Sequence, residues 1–281
     1  MRTAESPEEL RIQVADLPRP LVLVPTMGAL HAGHIALIER ARTIAGPSGT
    51  VAVSIFVNPI QFDRESDLAA YPQPLADDLR KCVAAGVDLV FTPPSDAMYF
   101  PDRSITVVES SLSNLLCGAT RPGHFDGVCT VVLKLFNLFR ADSAVFGQKD
   151  FQQLAIIRRM VRDLDLQVEI IAHPTIRESD GLAMSSRNTR LSAEHRADAP
   201  RIHLALEGTR AFLRLGERRG KVFVDAARKH LQESPFLVLD YLQLVDAENL
   251  KPVATIKQPS VLAMAGFYGD VRLIDHVTLM P

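Results

Sequence analysis

Residues 21–38, LVLVPTMGALHAGHIALI, constrain the fold of this chain more than any other stretch. The apolar, largely β-branched run over 21–25 reads as a strand, Thr26-Met27-Gly28 as a turn, and His31-Ala32-Gly33-His34 as the opening of a segment with helical spacing. At a helix start, backbone N–H groups lack partners within the helix and the peptide dipoles add partial positive charge, so this junction suits a phosphate. Gly33 lets a ligand approach the backbone closely. His31 and His34 are three apart and share a face if the helix has begun by Leu30 or His31. Two imidazoles beside a phosphate can donate to oxygens that gain charge as phosphorus is attacked. Two surface histidines capping a helix are the plainer alternative, and the tetrapeptide by itself leaves both open.

The following residues repeat the pattern. Residues 50–57 (TVAVSIFV) are a second almost continuous apolar run, as expected of a strand buried on both faces of a parallel sheet. Asn58 and Gln61 fall just beyond its carboxyl end, where open α/β sheets place their ligands. A helix is expected over 75–85, bearing Asp77 and Asp78, then a strand over 88–92 that stops at Pro93-Pro94. Residues 105–109 suggest a short strand, and 118–127 (GATRPGHFDG), with Arg121 and His124, a mobile loop. Val128, Val131, Val132, Leu135, Leu138 and Phe139 then mark an amphipathic core helix. A strand over 143–146 ends in Gly147-Gln148-Lys149-Asp150, a helix over 151–164 carries Gln153 one turn in, and 168–171 forms a further strand. The polar segment around Met184-Ser185-Ser186-Arg187 has little periodicity, and long polar loops inside compact domains are commonly functional. From Ser192 come two helices, to about 215 and over 222–232, and three strands over 237–245, 261–265 and 271–275. The expected fold class is α/β: a Rossmann-like doubly wound parallel sheet over residues 1–187, with a smaller C-terminal α+β lid domain over residues 188–281.

Charge and cysteine content exclude several partners. Lysine plus arginine number 31 against 33 acidic residues, a formal charge of −2, so no basic field recruits nucleic acid or an anionic membrane. Three widely spaced cysteines argue against a disulfide framework or structural zinc. No apolar run approaches the ~20 residues needed to span a bilayer, and the first ten residues (MRTAESPEEL) are too acidic and polar for a signal or transit peptide. A cytoplasmic location is expected.

Six blocks, VPTMGALHAGH, SIFVNPIQF, YPQPLADD, TRPGHFDGV, VFGQKDFQQ and PTIRESDGLAMSSRN, run in that order over residues 24–188. Together they resemble the motifs of the pantothenate synthetase family, the pantoate–β-alanine ligases of the H-x-G-H nucleotidyltransferase superfamily. H-x-G-H alone is shared with many nucleotidyltransferases and class I aminoacyl-tRNA synthetases, and MSSR is like the KMSKS loop of the latter. The QKDFQQ and NPIQF blocks make the resemblance specific, because they match the family's pantoate-binding segments. It implies a two-step reaction in which ATP adenylates pantoate, releasing pyrophosphate, and the β-alanine amine then displaces AMP to form pantothenate. It also implies magnesium as a cofactor, a homodimer, and a place in vitamin B5 and coenzyme A biosynthesis.

On this resemblance Met27, Gly28, Ala29, Leu30, His31, Ala32, Gly33 and His34 cradle ATP, with His34 and His31 as catalytic donors. Gly147, Gln148, Lys149 and Asp150 form a second ATP segment, in which Lys149 is a compact cation suited to an α- or γ-phosphate and a third catalytic group. Ser185, Ser186 and Arg187 offer two hydroxyls and a forked cation to the leaving pyrophosphate, and Ile176 and Met184 line the adenine side. Gln61 and Gln153, with Asn58, suit pantoate and β-alanine, since a neutral amide donates and accepts without stabilising the attacking carboxylate as a full charge would. Asp77 and Asp78 resemble the family's magnesium-associated pair. Adjacent helical residues point about 100° apart, and Lys81 stands one turn on where a neutral side chain would favour a metal more, so magnesium is expected to be held mostly by ATP. Arg121 and His124 look like the family's flexible-loop residues near the phosphates. Among other activities, an H-x-G-H nucleotidyltransferase would share the histidines but needs no second acceptor pocket. A tRNA-charging enzyme would need more than the ~90 mixed-charge residues after Asn188. A nucleotide sensor needs neither phosphate-facing histidines nor a cationic loop.

Overall fold

The computed structural model describes residues 1–281. Its strands are β1 (Arg2–Ala4), β2 (Leu21–Thr26), β3 (Thr50–Ile55), β4 (Leu89–Phe91), β5 (Ser143–Gly147), β6 (Glu169–His173), β7 (Leu237–Asp246), β8 (Ser260–Tyr268) and β9 (Val271–Leu279). They form a six-stranded sheet, order β1-β4-β3-β2-β5-β6, and a three-stranded sheet, order β7-β8-β9. All pairings in the first are parallel and those in the second antiparallel. The chain divides into two compact units, one of Met1–Ser110, Arg121–Gln148 and Gln153–Pro174, the other of Ser111–Thr120, Lys149–Gln152 and Thr175–Pro281.

In the first unit β2 and β3 read as almost continuous apolar runs because both their faces are covered. Leu21, Val22, Leu23 and Val24 are fully buried, at roughly 1.5–3 kcal/mol of burial each. The helix Ala32–Ala45 lays Leu37, Ile38, Ala41 and Ala45 on the valines of β2 and β3. After β2 the chain steps one way to β3 and β4, then returns to the other side of β2 for β5 and β6. The order therefore reverses between β2 and β5, and the loops leaving their carboxyl ends flank the ligand crevice of a doubly wound sheet. β2 ends at Thr26 and β5 at Gly147.

The second unit is the expected α+β assembly. Helices Arg201–Gly208 and Gly220–Leu231 pack Ile202, Leu206, Phe223 and Leu231 on Leu242, Leu244, Leu262 and Met264 of its sheet. Alternating burial along β9 shows one face on this core. The last change of compact unit along the chain falls at Pro174/Thr175. Residues after Pro174 go with the second unit because Leu182 enters its core and Arg177 forms a bidentate pair with buried Asp275, at 2.6 and 2.9 Å.

Three local expectations change, and one stretch gains structure that was not foreseen. Residues 105–109 form no strand, since β1 already occupies the free edge of β4, and Ile105 and Val108 stay exposed. Of the stretch expected as a mobile loop, 118–127, all but Arg121, Pro122 and Gly123 is helical, at the end of Leu116–Thr120 and the start of His124–Phe139. The single helix expected after Ser192 is three, Ala193–Asp198, Arg201–Gly208 and Arg210–Arg214, with Pro200, which has no N–H to donate, at the first break. The polar first residues supply β1 and the helix Pro7–Ala15, capped reciprocally by Ser6 and Glu9.

Candidate active site

The loop after β2 is built from its own hydrogen bonds. Gly28 (φ +79°) and Ala29 (φ +50°) are successive left-handed residues, and for alanine this conformation costs roughly 1–2 kcal/mol. Asp78, on the helix Leu75–Ala84, offsets that strain. Its Oδ2 accepts from the Ala29 N–H at 2.8 Å and its Oδ1 from the Leu30 N–H at 2.7 Å, and bonds to a charged group contribute about 1.5–3 kcal/mol each. Gly28 N–H donates to Thr26 Oγ1, whose hydroxyl donates to the Ser54 carbonyl.

His31 is the N-cap of the helix Ala32–Ala45, and its Nδ1 accepts from Gly33 N–H at 3.1 Å. His34 Nδ1 accepts from His31 N–H at 3.3 Å, and the ring centroids lie 4.1 Å apart. A ring nitrogen that accepts carries no proton, so in this arrangement Nε2 is the atom from which each ring would donate. The loop amides of Gly28, Ala29, Leu30, His31 and Gly33 all have acceptors within the protein. The sequence pattern alone assigns the phosphate to free backbone N–H groups. Here the loop instead carries two Nε2–H donors on side chains.

Gln61 lies in a short 3-10 turn, Pro59–Gln61, at the carboxyl end of β3, and is 8% exposed. Its Oε1 accepts from Asn58 Nδ2 at 2.9 Å, and its Nε2 donates to Met27 Sδ at 3.0 Å. Thioether sulfur is a weak acceptor that a substrate oxygen can replace. Fully buried Asn58 is held in turn by Tyr99, whose hydroxyl donates to Asn58 Oδ1, while Asn58 Nδ2 also donates to the Gly127 carbonyl. Burial pushes the Tyr99 phenol well above its ordinary range, so it stays a donor.

The Gln61 carbonyl accepts from His124 Nδ1 at 2.7 Å, and His124 Nε2 faces Arg121 at 3.2 Å. Arg121 also pairs with Asp63 at 2.7 Å. Burial works to raise the Asp63 carboxyl, but the hydrogen bond and charge of Arg121 outweigh it and hold the group below the usual carboxylate range. Arg121 and His124 thus brace the Gln61 turn from its backbone side. Gly127 makes that approach possible, since a Cβ there would lie 2.5 Å from the Ile60 carbonyl oxygen and 2.7 Å from Gln61 N. A cleft of about 150 Å³ opens beside Met27 and Gly28, lined further by Phe56, Gln73, Asp78 and Thr92.

The Asp77–Asp78 pair does not fit a protein-held metal. Both oxygens of Asp78 face backbone N–H groups. Asp77 pairs with Lys81 at 2.7 Å and Arg80 at 2.9 Å, and the Lys81 hydrogen bond foremost holds its carboxyl below the usual range. No group of three or more His, Cys, Asp or Glu is placed to hold a metal ion.

The remaining candidate residues divide between the units. Gly147 ends β5 and Gln148 follows it in the first unit, and half-buried Gln153 stands there on the helix Phe151–Asp163. Lys149 and Asp150, 4.0 Å apart, belong to the second, as do Ile176 and Met184 through Arg187. Met184 N–H donates to the Ile176 carbonyl at 2.9 Å, so the two residues expected at the adenine face each other across a small hairpin. The Arg177–Asp275 pair anchors that hairpin, and Arg196 bonds both Glu178 and Asp180 at 2.6 Å. Ser185 Oγ caps the next turn, Ser186–Arg190, by accepting from Arg187 N–H.

A family model described as pantoate-beta-alanine ligase matches residues 2–278. The chain belongs to the pantoate–β-alanine ligase family. A relative from Akkermansia muciniphila named pantothenate synthetase is 53% identical over 92% of both chains. The pantothenate synthetase structure from Thermus thermophilus matches the whole of both chains at 43% identity with a TM-score of 0.94. The Francisella tularensis ligase, solved in complex with beta-gamma ATP and beta-alanine, covers 99% of this chain and 97% of its own at 31% identity and a TM-score of 0.79. Sequence reasoning did not reach the groups that support this ligase-family site from elsewhere in the chain. Asp78 was legible as an acid on a helix but not as the clamp of a loop 48 and 49 residues away, and nothing in the sequence paired Arg177 with Asp275.

Proposed function

We propose that the protein joins pantoate to β-alanine at the expense of ATP, through a pantoyl-adenylate intermediate, in pantothenate and coenzyme A biosynthesis. The observation that carries the reading is Gln61, a buried, uncharged amide oriented by Asn58 and touching Met27 of the histidine-bearing loop. A nucleotide-binding loop with a second, neutral, acid-binding group against it suits an enzyme that activates a carboxylate. The Francisella relative, complexed with beta-gamma ATP and beta-alanine, supports both of those ligands.

In the first step the pantoate carboxylate attacks the α-phosphorus, a C–O–P bond forms, and the bond to the β-phosphate breaks with its electron pair leaving on pyrophosphate. His34 and His31 donate from Nε2–H to oxygens gaining charge, Lys149 supplies a compact cation, and Ser185, Ser186 and Arg187 receive pyrophosphate. Gln61 and Gln153 hold the pantoate hydroxyls and carboxylate without neutralising the nucleophile, and Asn58, buried and fully engaged, orients Gln61 rather than touching the acid. In the second step the β-alanine amine attacks the acyl carbon, loses a proton, and AMP departs. Magnesium would be held by the ATP phosphates, where it would offset their charge. The protein works as a cytoplasmic homodimer, for which a particle twice the 30.9 kDa chain mass in light scattering is expected.

The enzyme given ATP, magnesium and pantoate but no β-alanine is expected to exchange labelled pyrophosphate into ATP, and to form AMP and pantothenate once β-alanine is added. Release of ADP and phosphate instead would overturn the adenylate route.

A further inference from the structure

We infer that Asp78 is a positioning residue that, with Lys81, holds the histidine-bearing loop in its working shape, and that it is not a ligand of magnesium. This rests on the ATP-site reading above. Asp78 is 1% exposed, and its two oxygens take the consecutive N–H groups of Ala29 and Leu30. Lys81 stands three residues further along the same helix, hence on the same face, and its Nζ donates to the Leu30 carbonyl at 2.5 Å. The residue before the catalytic pair is therefore gripped at its N–H by one charge and at its C=O by the opposite one.

The loop has no room to loosen without cost. A Cβ at Gly28 would stand 3.0 Å from Asp78 Oδ2, so backbone and carboxylate are in close contact, and the N–H of left-handed Ala29 donates to that same carboxylate. For Asp78 to face a metal, the ion would have to reach the remaining lone pairs of a carboxylate that is only 1% exposed, or the side chain would have to turn away and leave two buried N–H groups unpaired, which is expensive. Releasing them would shift His31, which caps the helix, and His34, which accepts from His31 N–H.

The test uses Asp78→Asn and Lys81→Met in the full-length protein. An Asn at 78 keeps one acceptor but turns an NH₂ toward a backbone donor. Lys81 is partly exposed, so its methionine variant retains the aliphatic stem with little risk to the fold. Equilibrium binding of a non-hydrolysable ATP analogue is measured in EDTA and again in magnesium, with pantoate titrated separately. Asp78→Asn is expected to weaken the analogue at least about tenfold in both conditions, the loss of one charge-assisted hydrogen bond, while pantoate affinity holds within about twofold. Lys81→Met is expected to move ATP binding in the same direction by less. Half-saturating magnesium in the activity assay should not change. Unaltered analogue binding by Asp78→Asn in EDTA, or a raised magnesium requirement that excess metal rescues, would overturn the inference. Wild-type protein that binds the analogue in neither condition would overturn the ATP-site reading, and the inference with it.

Discussion

At the scale of the residue, the proposed acid-binding group is a neutral amide where a cation would be the easier choice. Gln61 is fixed before any substrate arrives, because Asn58 holds its carbonyl oxygen and Met27 holds its amide nitrogen only weakly. Gln61→Ala should strip hydrogen bonds from pantoate at about 0.5–1.5 kcal/mol each, more if a buried partner is left bare. Titrations with pantoate and with ATP separate the roles, and an ATP affinity weakened as much as that for pantoate would show that Gln61 serves the loop instead. His34 presents the complementary case. Its Nδ1 is committed to His31 N–H, so the donor it brings to a phosphate is Nε2–H. His34→Ala should lower turnover by ~10²–10³, as loss of one transition-state donor does. Turnover within threefold of wild type would reduce His34 to a helix cap.

At the scale of the element, the helix His124–Phe139 and the turn Pro59–Gln61 approach so closely that only glycine fits between them. Gly127→Ala would drive a methyl group into the backbone of Ile60 and Gln61, an overpacking that costs about 1–3 kcal/mol. Pantoate binding should suffer more than ATP binding, because the displaced backbone is that of Gln61. Equal losses for both ligands, or none, would show that the turn gives way harmlessly. Elements such as β2, β3 and the helix Ala32–Ala45 were legible because a buried parallel strand and an amphipathic helix write their burial into local pattern. β1 was not, since Arg2, Thr3 and Ala4 become a strand only by pairing with β4. The Ser6–Glu9 capping box is a local signal of the first helix, and the proline at 200 is a local signal of a break that the apolar spacing on either side masks. The residues proposed to touch substrate sit in recognisable blocks. Those that hold them in place, Asp78, Asp63, Tyr99 and Asp275, meet their partners only through the fold.

At the scale of the whole molecule, acid should destabilise the protein in two stages whose order follows from the direction of the shifts. His203 and His276 are held below the ordinary value of 6.5, in both cases chiefly by burial. Around His276, Asp275 and Asp150 favour the charged ring and Arg177 and Lys149 oppose it, and its buried Nδ1 has no hydrogen-bond partner. Below about pH 6.5 the unfolded chain therefore binds protons that the folded one resists, and stability falls as pH falls. The second stage belongs to carboxylates. At Asp198, burial works to raise the pKa but the hydrogen bonds from Ser234, Tyr268 and Arg201 outweigh it; at Asp246, the backbone N–H groups of Asn249 and Glu248 do the same. A depressed carboxyl contributes stability above its unfolded value of 3.8 and loses it as pH drops through the folded one, so a steeper decline should follow below about pH 4. Thermal midpoints measured from pH 8 to pH 3 should show both. His276→Phe, whose ring can pack against Phe151 5.1 Å away, removes one of the two histidines and should flatten the upper stage while leaving the lower one unchanged. If wild type and His276→Phe decline in parallel between pH 7 and pH 5, the buried imidazole is not a source of the upper stage.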